Sequence, residues 1–431
     1  MTMNDQTRKV VPHDQIPPRD PPLRPVPTEF GSSVQALADS TFERLRDDHP
    51  AIADSFRKCF PVALATTTEI LPDGTTFVSA GDLPNMWLRD AAGAFEPYVP
   101  LCRADERLHS IVAGVVARAA AYIVLEPYGN SFSRKPTLDD NYWPSDDPPP
   151  GPWLRERKWS IDSPASILQL AQRLHAETGE LRFADDAFLD AVRVIVETFQ
   201  TEQDHAERSE YRFIRNDPDH PEDTLSHDGR GSPVGRTGMI WSGFRPSDDP
   251  CAYGYPIAQN MQASVVLSWL SGILLEHYGD SALGRAALQM SHEIRDGIEA
   301  FGVVEHPRLG RIYAAETDGL GNHALLDDAT PPNLVGAPLT GYLDIDDPTY
   351  QRTRAFALSR DNPYYRTGPH AEGLGSPHPN ASPENHVWHI GLIVEGLTAA
   401  TAAERLRLIE LCAATTAGTG FMHEAFDARD P

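Results

Sequence analysis

The run Ile161-Asp162-Ser163-Pro164-Ala165-Ser166-Ile167-Leu168-Gln169-Leu170-Ala171-Gln172-Arg173-Leu174 decides the architecture. Ser163 offers a side-chain oxygen to orphan backbone N–H groups, and Pro164 suits the first helical position, where no N–H is needed. Ile167, Leu168, Ala171 and Leu174 follow at spacings of three and four, so one helical face points at a core. The spacing predicts a helix that starts at Ser163-Pro164. The same period recurs over about 33–48, 105–126, 182–202, 256–278, 281–301, 386–400 and 402–417. Strand signals reduce to Thr76-Phe77-Val78-Ser79-Ala80 and Arg311-Ile312-Tyr313. Regular β–α alternation is absent, which argues against a TIM barrel or a Rossmann sheet. The expected fold class is all-α: stacked helices forming a toroid, with polar and aromatic loops at its mouth.

Those loops join helices in a chain of 431 residues, 40% hydrophobic and 23% charged, a globular balance with length enough for a large core. The net charge of −25 would repel polyanions, so neither nucleic acid nor an anionic membrane surface is an expected partner. Residues 1–29 are polar and crowded with proline from Pro12 to Pro27, and are expected to form a disordered tail before a folded domain over 30–431. Cys59, Cys102, Cys251 and Cys412 lie far apart, without the close spacing of a zinc site. Four free thiols in a reducing compartment is the expectation. Ile111 to Leu125 is interrupted by Arg118 and too short to span a bilayer. No basic region followed by an apolar run marks an export signal, so the expected location is cytoplasmic.

Several segments concentrate chemistry. Asp139-Asp140-Asn141-Tyr142-Trp143 through Trp159 gathers aromatics, acids, Arg155 and Arg157 in one long loop. Gly81 to Asp90 ends in Trp87-Leu88-Arg89-Asp90, and Trp241 to Asp249 ends in Arg245-Pro246-Ser247-Asp248-Asp249. Gly321-Asn322-His323 precedes Asp327-Asp328, and Met422-His423-Glu424 lies near the end. Aromatic rings stack on sugar C–H faces, while acids and guanidinium groups bind hydroxyls. Glycoside hydrolysis needs one protonated and one ionised carboxyl. Plainer roles fit each residue as well: an adjacent Asp pair can cap a helix, Arg89-Asp90 can be a local ion pair, and Trp87, Trp159 and Trp241 can be core aromatics. His423-Glu424 lacks the second histidine of a HExxH zinc motif, and no GxSxG, Walker or GxGxxG pattern occurs.

The runs GDLPNMWLRD (81–90), ERKWSIDSP (156–164), WSGFRPSDDPCAYGYPIAQNM (241–261), GLGNHALLDDA (319–329), LSRDNPYY (358–365), GLGSPH (373–378) and MHEAF (422–426) occur in this order. Together they resemble glycoside hydrolase family 125, from about residue 35 to the end. The resemblance implies an (α/α)6 barrel and a metal-independent, exo-acting α-1,6-mannosidase that works with inversion and needs no cofactor. It implies a general acid at Asp248 or Asp249, with Asp248 preferred, and a general base at Glu424. It further implies that Arg89, Asp90, Arg245, Asn322, His323, Asp328 and His378 line the pocket for the terminal mannose of a glycan or oligosaccharide. His423 or Arg245 would keep Glu424 ionised. In that family the chain continues past the His-Glu segment into an aromatic-rich helix, whereas this sequence stops at Pro431, so the expected toroid lacks its last helix. Trp388-His389 stands where the family commonly has Trp-Pro. Two alternatives follow: another inverting α-hexosidase of the same fold, and an inactive sugar-binding scaffold.

Overall fold

Helices of eight residues or more build the frame: α1 (Ser33–Leu45), α2 (Pro50–Cys59), α3 (Leu88–Phe95), α4 (Glu106–Leu125), α5 (Asp162–Thr178), α6 (Asp186–Glu202), α7 (Ile257–Glu276), α8 (Ser281–Phe301), α9 (Pro348–Ala357), α10 (His389–Leu397) and α11 (Ala402–Ala414). They come from a computed structural model that describes residues 27, 30, 32–81, 83–137, 143, 145–216, 223–378 and 385–431. The expected tail therefore lies almost wholly outside the described residues, as do Asp139 to Tyr142 of the long aromatic loop.

Burial separates two kinds of helix. In α7, Ile257 to Ser264 are all buried, and so are Val266, Leu267, Leu270 and Leu274. A helix buried on every side lies inside, and its polar members Asn260 and Gln262 are hydrogen-bonded to Ile240 and Gln169. α5 likewise buries every residue from Asp162 to Ala171. α6 instead buries one stripe (Phe188, Ala191, Val192, Ile195, Val196, Phe199), as does α8 (Ala287, Met290, Ile294, Ile298). The interior helices pack in sequence, α3 on α5 and α5 on α7, while α4 packs on α6, α7 on α8 and α10 on α11. α11 also reaches back to α2. α4 spans 20 residues and is long and apolar enough to cross a bilayer by composition, longer than the stretch considered from sequence. Its apolar positions Val112, Val115, Val116 and Ala119 are packed into the core. On α10, Ile393 and Leu397 are exposed at 39% and 59%, while Ile390 borders the cavity described below.

α5 begins one residue before the expected Ser163, with Ile161 at its N-cap. Ser163 therefore does not cap the helix, which has no side-chain capping hydrogen bond; Asp162 in its first turn accepts from Ser160 Oγ. The eight-residue α3, α2 and α9 were not foreseen, and neither were strands beyond two. Among the described residues the strands run two to four residues and pair antiparallel in two- and three-stranded pieces. Four of them feed directly toward interior helices. Asn85–Trp87 runs into α3, Leu154–Glu156 approaches α5, Tyr255–Pro256 runs into α7, and His386–Trp388 runs into α10. The N-termini of the interior helices and their short strands thereby supply residues to one cavity.

Candidate active site

That cavity has a volume of about 730 Å³. Trp87, Arg89 and Asp90 come from the start of α3, Glu156 and Lys158 from the approach to α5, and Pro246 to Asp249 from the loop before α7. His378, Trp388, His423 and Glu424 complete the wall.

Buried polar side chains lock the helix starts together. Arg89 Nη1 on α3 lies 3.1 Å from Asp162 Oδ2 on α5. Asp162 accepts from Ser160 Oγ, and Ser160 Oγ is 3.2 Å from Gln259 Nε2 on α7. One chain of contacts therefore ties three helix N-termini, and Asp162 is fully buried. Arg89 also stands 3.4 Å from Asp90 and 4.0 Å from Asp248.

The loop before α7 is a tight hairpin. Arg245 N–H donates to the Asp249 carbonyl at 2.8 Å and Asp248 N–H to the Arg245 carbonyl at 2.9 Å, beside a bridge between Phe244 and Pro250. The turn forces Asp248 to φ +64°, a left-handed conformation that Asp tolerates better than bulkier residues. Lys158 Nζ braces the turn from outside, 3.0 Å from the Asp248 carbonyl. Lys158 is anchored in turn by Asp223 at 2.6 Å and Glu156 at 3.6 Å. Arg215 grips Asp146, Glu156 and Asp223. Sequence reading missed this Lys158–Glu156–Asp223–Arg215 network, because its members are scattered over about 65 residues and only the fold brings them together.

The network sets the electrostatics of the loop. Burial alone would raise the Glu156 carboxyl, but Lys158 and Arg215 overcome it and hold the group down at about 2. Glu156 is thus a fixed negative charge near Asp248. Burial pushes the Asp248 carboxyl up, Glu156 and Asp90 add to the push, and Arg89 and Lys158 oppose it, leaving it at about 7. Its side chain remains 25% exposed to the cavity. Asp249 is only 7% exposed; burial raises it against the pull of Arg245 and His378. Burial also raises Glu424, aided by Asp90 and opposed by His378.

Two residues of the lining keep a buried N–H without a hydrogen-bond partner, Trp87 Nε1 and Trp388 Nε1. Unpaired buried polar atoms are costly and rare, at about 1–3 kcal/mol each. Donors and acceptors gathered around one cavity suit a ligand rich in hydroxyls, and the indole faces suit its C–H surfaces.

The structure brings together Arg89, Asp90, Asp248, Asp249, His378 and Glu424. It does not bring Arg245, Asn322, His323 and Asp328 to the cavity wall. Arg245 and Asp328 line a small chamber behind it, where Arg245 Nη1 is 3.6 Å from Glu316 and Asp328 Oδ1 accepts from Thr330 N–H at 2.8 Å. Asn322 is exposed, with Nδ2 on Asp318 at 2.6 Å, and His323 Nε2 meets the Phe301 carbonyl at 2.9 Å. A Gly-Asn-His turn after a strand carries no sequence signal that separates a braced loop from a sugar contact. Asp327 is structural too: its two oxygens accept from Leu334 and Val335 N–H at 2.9 Å each. Neither donor expected to keep Glu424 ionised faces it. Arg245 is paired with Glu316, and the His423 ring turns back to the Thr416 carbonyl at 3.2 Å. Trp159 and Trp241 are core residues at 1% exposure, with Trp159 Nε1 on the Trp241 carbonyl at 3.0 Å.

Comparison with known proteins places this geometry in context. The family described as metal-independent alpha-mannosidase (GH125) matches residues 49–431. A solved structure of a Streptococcus pneumoniae protein superposes with a TM-score of 0.88 at 40% identity, covering 92% of each chain. It is described as one of a family of metal-independent alpha mannosidases, in a non-productive complex with alpha-1,6-mannobiose. The meiotically up-regulated gene 157 protein of Schizosaccharomyces pombe is 34% identical over 424 residues, 93% of this chain and 81% of that one.

Proposed function

This chain belongs to the metal-independent α-mannosidase family GH125, and from that premise we propose that it is an exo-acting α-1,6-mannosidase that works with inversion. Its substrate is the terminal mannose of a glycan or manno-oligosaccharide, and its fold is an (α/α)6 barrel whose inner ring includes α3, α5, α7 and α10. The observation that carries the reading is one cavity holding a carboxyl poised at about 7, a second carboxyl at Glu424, and two partnerless indole N–H groups. The mannobiose bound to the S. pneumoniae protein supports the α-1,6 linkage.

Asp248, protonated, gives its proton to the glycosidic oxygen as the bond to the anomeric carbon breaks. Glu424, ionised, takes a proton from the water that attacks the opposite face, so β-mannose leaves. Inversion requires about 6.5–9.5 Å between the two carboxyls to seat that water. Asp249, at 7% exposure, is more enclosed than Asp248 and supports the loop rather than delivering the proton. Arg89, Asp90 and His378 face the terminal mannose, while Arg245 attracts Asp249 from behind. The four free thiols favour a reducing, cytoplasmic setting for this activity.

Asp248→Asn, Asp249→Asn and Glu424→Gln, assayed separately on α-1,6-mannobiose and on an aryl α-mannoside with an activated leaving group, test the roles. Loss of the acid slows the poor leaving group far more than the activated one; loss of the base slows both. Equal activity on the matched glucoside would identify a different hexosidase. Mannose binding without turnover by the folded protein would identify a sugar-binding scaffold.

A further inference from the structure

The base sits in a connector that has no regular structure of its own. Residues 415–424 link α11 to the strand Ala425–Asp427, and a catalytic group on such a segment needs fixing from outside. His389, the first residue of α10, is 2% exposed and does not line the cavity. Its Nδ1 lies 2.8 Å from the carbonyl of His423. A carbonyl only accepts, so Nδ1 carries the hydrogen. Its Nε2 lies 2.9 Å from Thr415 Oγ1, where the connector leaves α11. The same ring packs on Phe426 with centroids 4.7 Å apart, and the neighbouring Trp388 pairs with Ala425 across the strands. One imidazole thus touches the beginning of the connector, the peptide just before Glu424, and the side chain two residues after it.

We propose that His389 is a positioning residue for the base: its Nδ1–H bond to the His423 carbonyl fixes the peptide from which the Glu424 side chain reaches the cavity. The proposal rests on the reading of Glu424 as the general base. It assigns different work to the two ring nitrogens. Nδ1 sets the aim of Glu424, whereas Nε2 ties α10 to the end of α11 and contributes to stability alone. Displacing a reacting group by about 1 Å costs up to roughly a hundredfold in rate without any loss of ground-state binding.

The test compares three variants of the full chain. His389→Asn places an amide N–H where Nδ1 stands and loses the Thr415 contact. His389→Gln places its amide nearer the Nε2 position and loses the His423 contact. His389→Ala loses both. The expected result is a fall in kcat of roughly tenfold or more for Ala and Gln, with KM within about twofold of the parent. The fall is the same for mannobiose and for the activated aryl mannoside, because the water-activation step is common to both. His389→Asn recovers most of the lost kcat while melting as low as Ala. Equal kcat for Asn and Gln, or a kcat loss that follows melting temperature across the three, would overturn the positioning role. Glu424→Gln separates the two levels. Full turnover there would overturn the base assignment and this proposal with it. Loss of turnover there alongside undiminished His389→Ala would overturn the positioning role alone.

Discussion

Asp248→Asn should make the protein more stable at pH 8 than its parent while removing its capacity to cleave a poor leaving group. The Asp248 carboxyl is held at about 7, against an ordinary aspartate value of 3.8. A folded state that holds its proton more tightly than the unfolded chain loses stability as pH rises between those two values, and loses no more above the upper one. The gap of roughly three units corresponds to about 4 kcal/mol at 1.36 kcal/mol per unit, an upper figure because the side chain keeps some contact with the cavity. Asn is neutral at every pH, shares the tolerance of Asp for the left-handed turn, and has nearly the same volume. Its substitution also removes the attraction of Arg89 and Lys158, so the informative quantity is the difference between pH values. Urea unfolding of both proteins at pH 5, 6, 7 and 8 measures it. The variant should gain on its parent by about 2 kcal/mol, and at most about 2.7, from pH 5 to pH 8, with most of the gain complete by pH 7. A stability difference that is flat across that range would refute the burial argument, and with it the reason for choosing Asp248 over Asp249.

Parent activity on mannobiose should fall about tenfold per unit above pH 7 as Asp248 loses its proton, and an alkaline limb that begins near pH 4 or 5 would exclude that acid. Trp87→Phe keeps a ring face but deletes the partnerless Nε1 donor, so KM for mannobiose should rise about threefold to tenfold; an unaltered KM would remove Nε1 from sugar binding. Glu202 is fully buried and accepts from Tyr128 at 2.7 Å, Ser209 at 2.6 Å and His205 at 2.7 Å. Glu202→Gln should cost about 3 kcal/mol in chemical denaturation, and a loss under about 1 kcal/mol would mean that the charge is not what holds the cluster. Ile195→Ala on the buried stripe of α6 should cost about 2–5 kcal/mol by the same measurement, unless the site collapses around the gap.

Long helices were legible because apolar residues recur over many turns, as a stripe in α6 and α8 and on nearly every side in α7. α4, α6, α7 and α8 fall within a few residues of the positions their spacing predicts. α3 was not, because eight residues containing Gly93 and three alanines give too few periods to register. α9 was hidden by its polar composition, PTYQRTRAFA, in which only Tyr350, Thr353, Phe356 and Ala357 are buried. Strands of two to four residues cannot display an alternation at all. The site divides in a similar way. Arg89, Asp90, Asp248, Asp249, His378 and Glu424 were found through the family resemblance of the runs that contain them, and they line one cavity. Asn322 and His323 come from a run of the same kind and brace a loop elsewhere. Local sequence does not report which way a turn faces. Lys158 and Glu156 lie inside the run ERKWSIDSP, but their role depends on Arg215 and Asp223 arriving from a distant segment.

The central claim is that two carboxyls on opposite sides of a bound mannose invert its anomeric centre. Incubating the purified chain with α-1,6-mannobiose, beside an α-1,2-linked control, and following the first sugar released by proton NMR tests it most directly. The expected result is β-mannose, appearing before mutarotation, from the α-1,6 substrate. Initial release of α-mannose would contradict inversion and the assigned roles of Asp248 and Glu424, and no release from a folded sample would contradict catalysis by this chain.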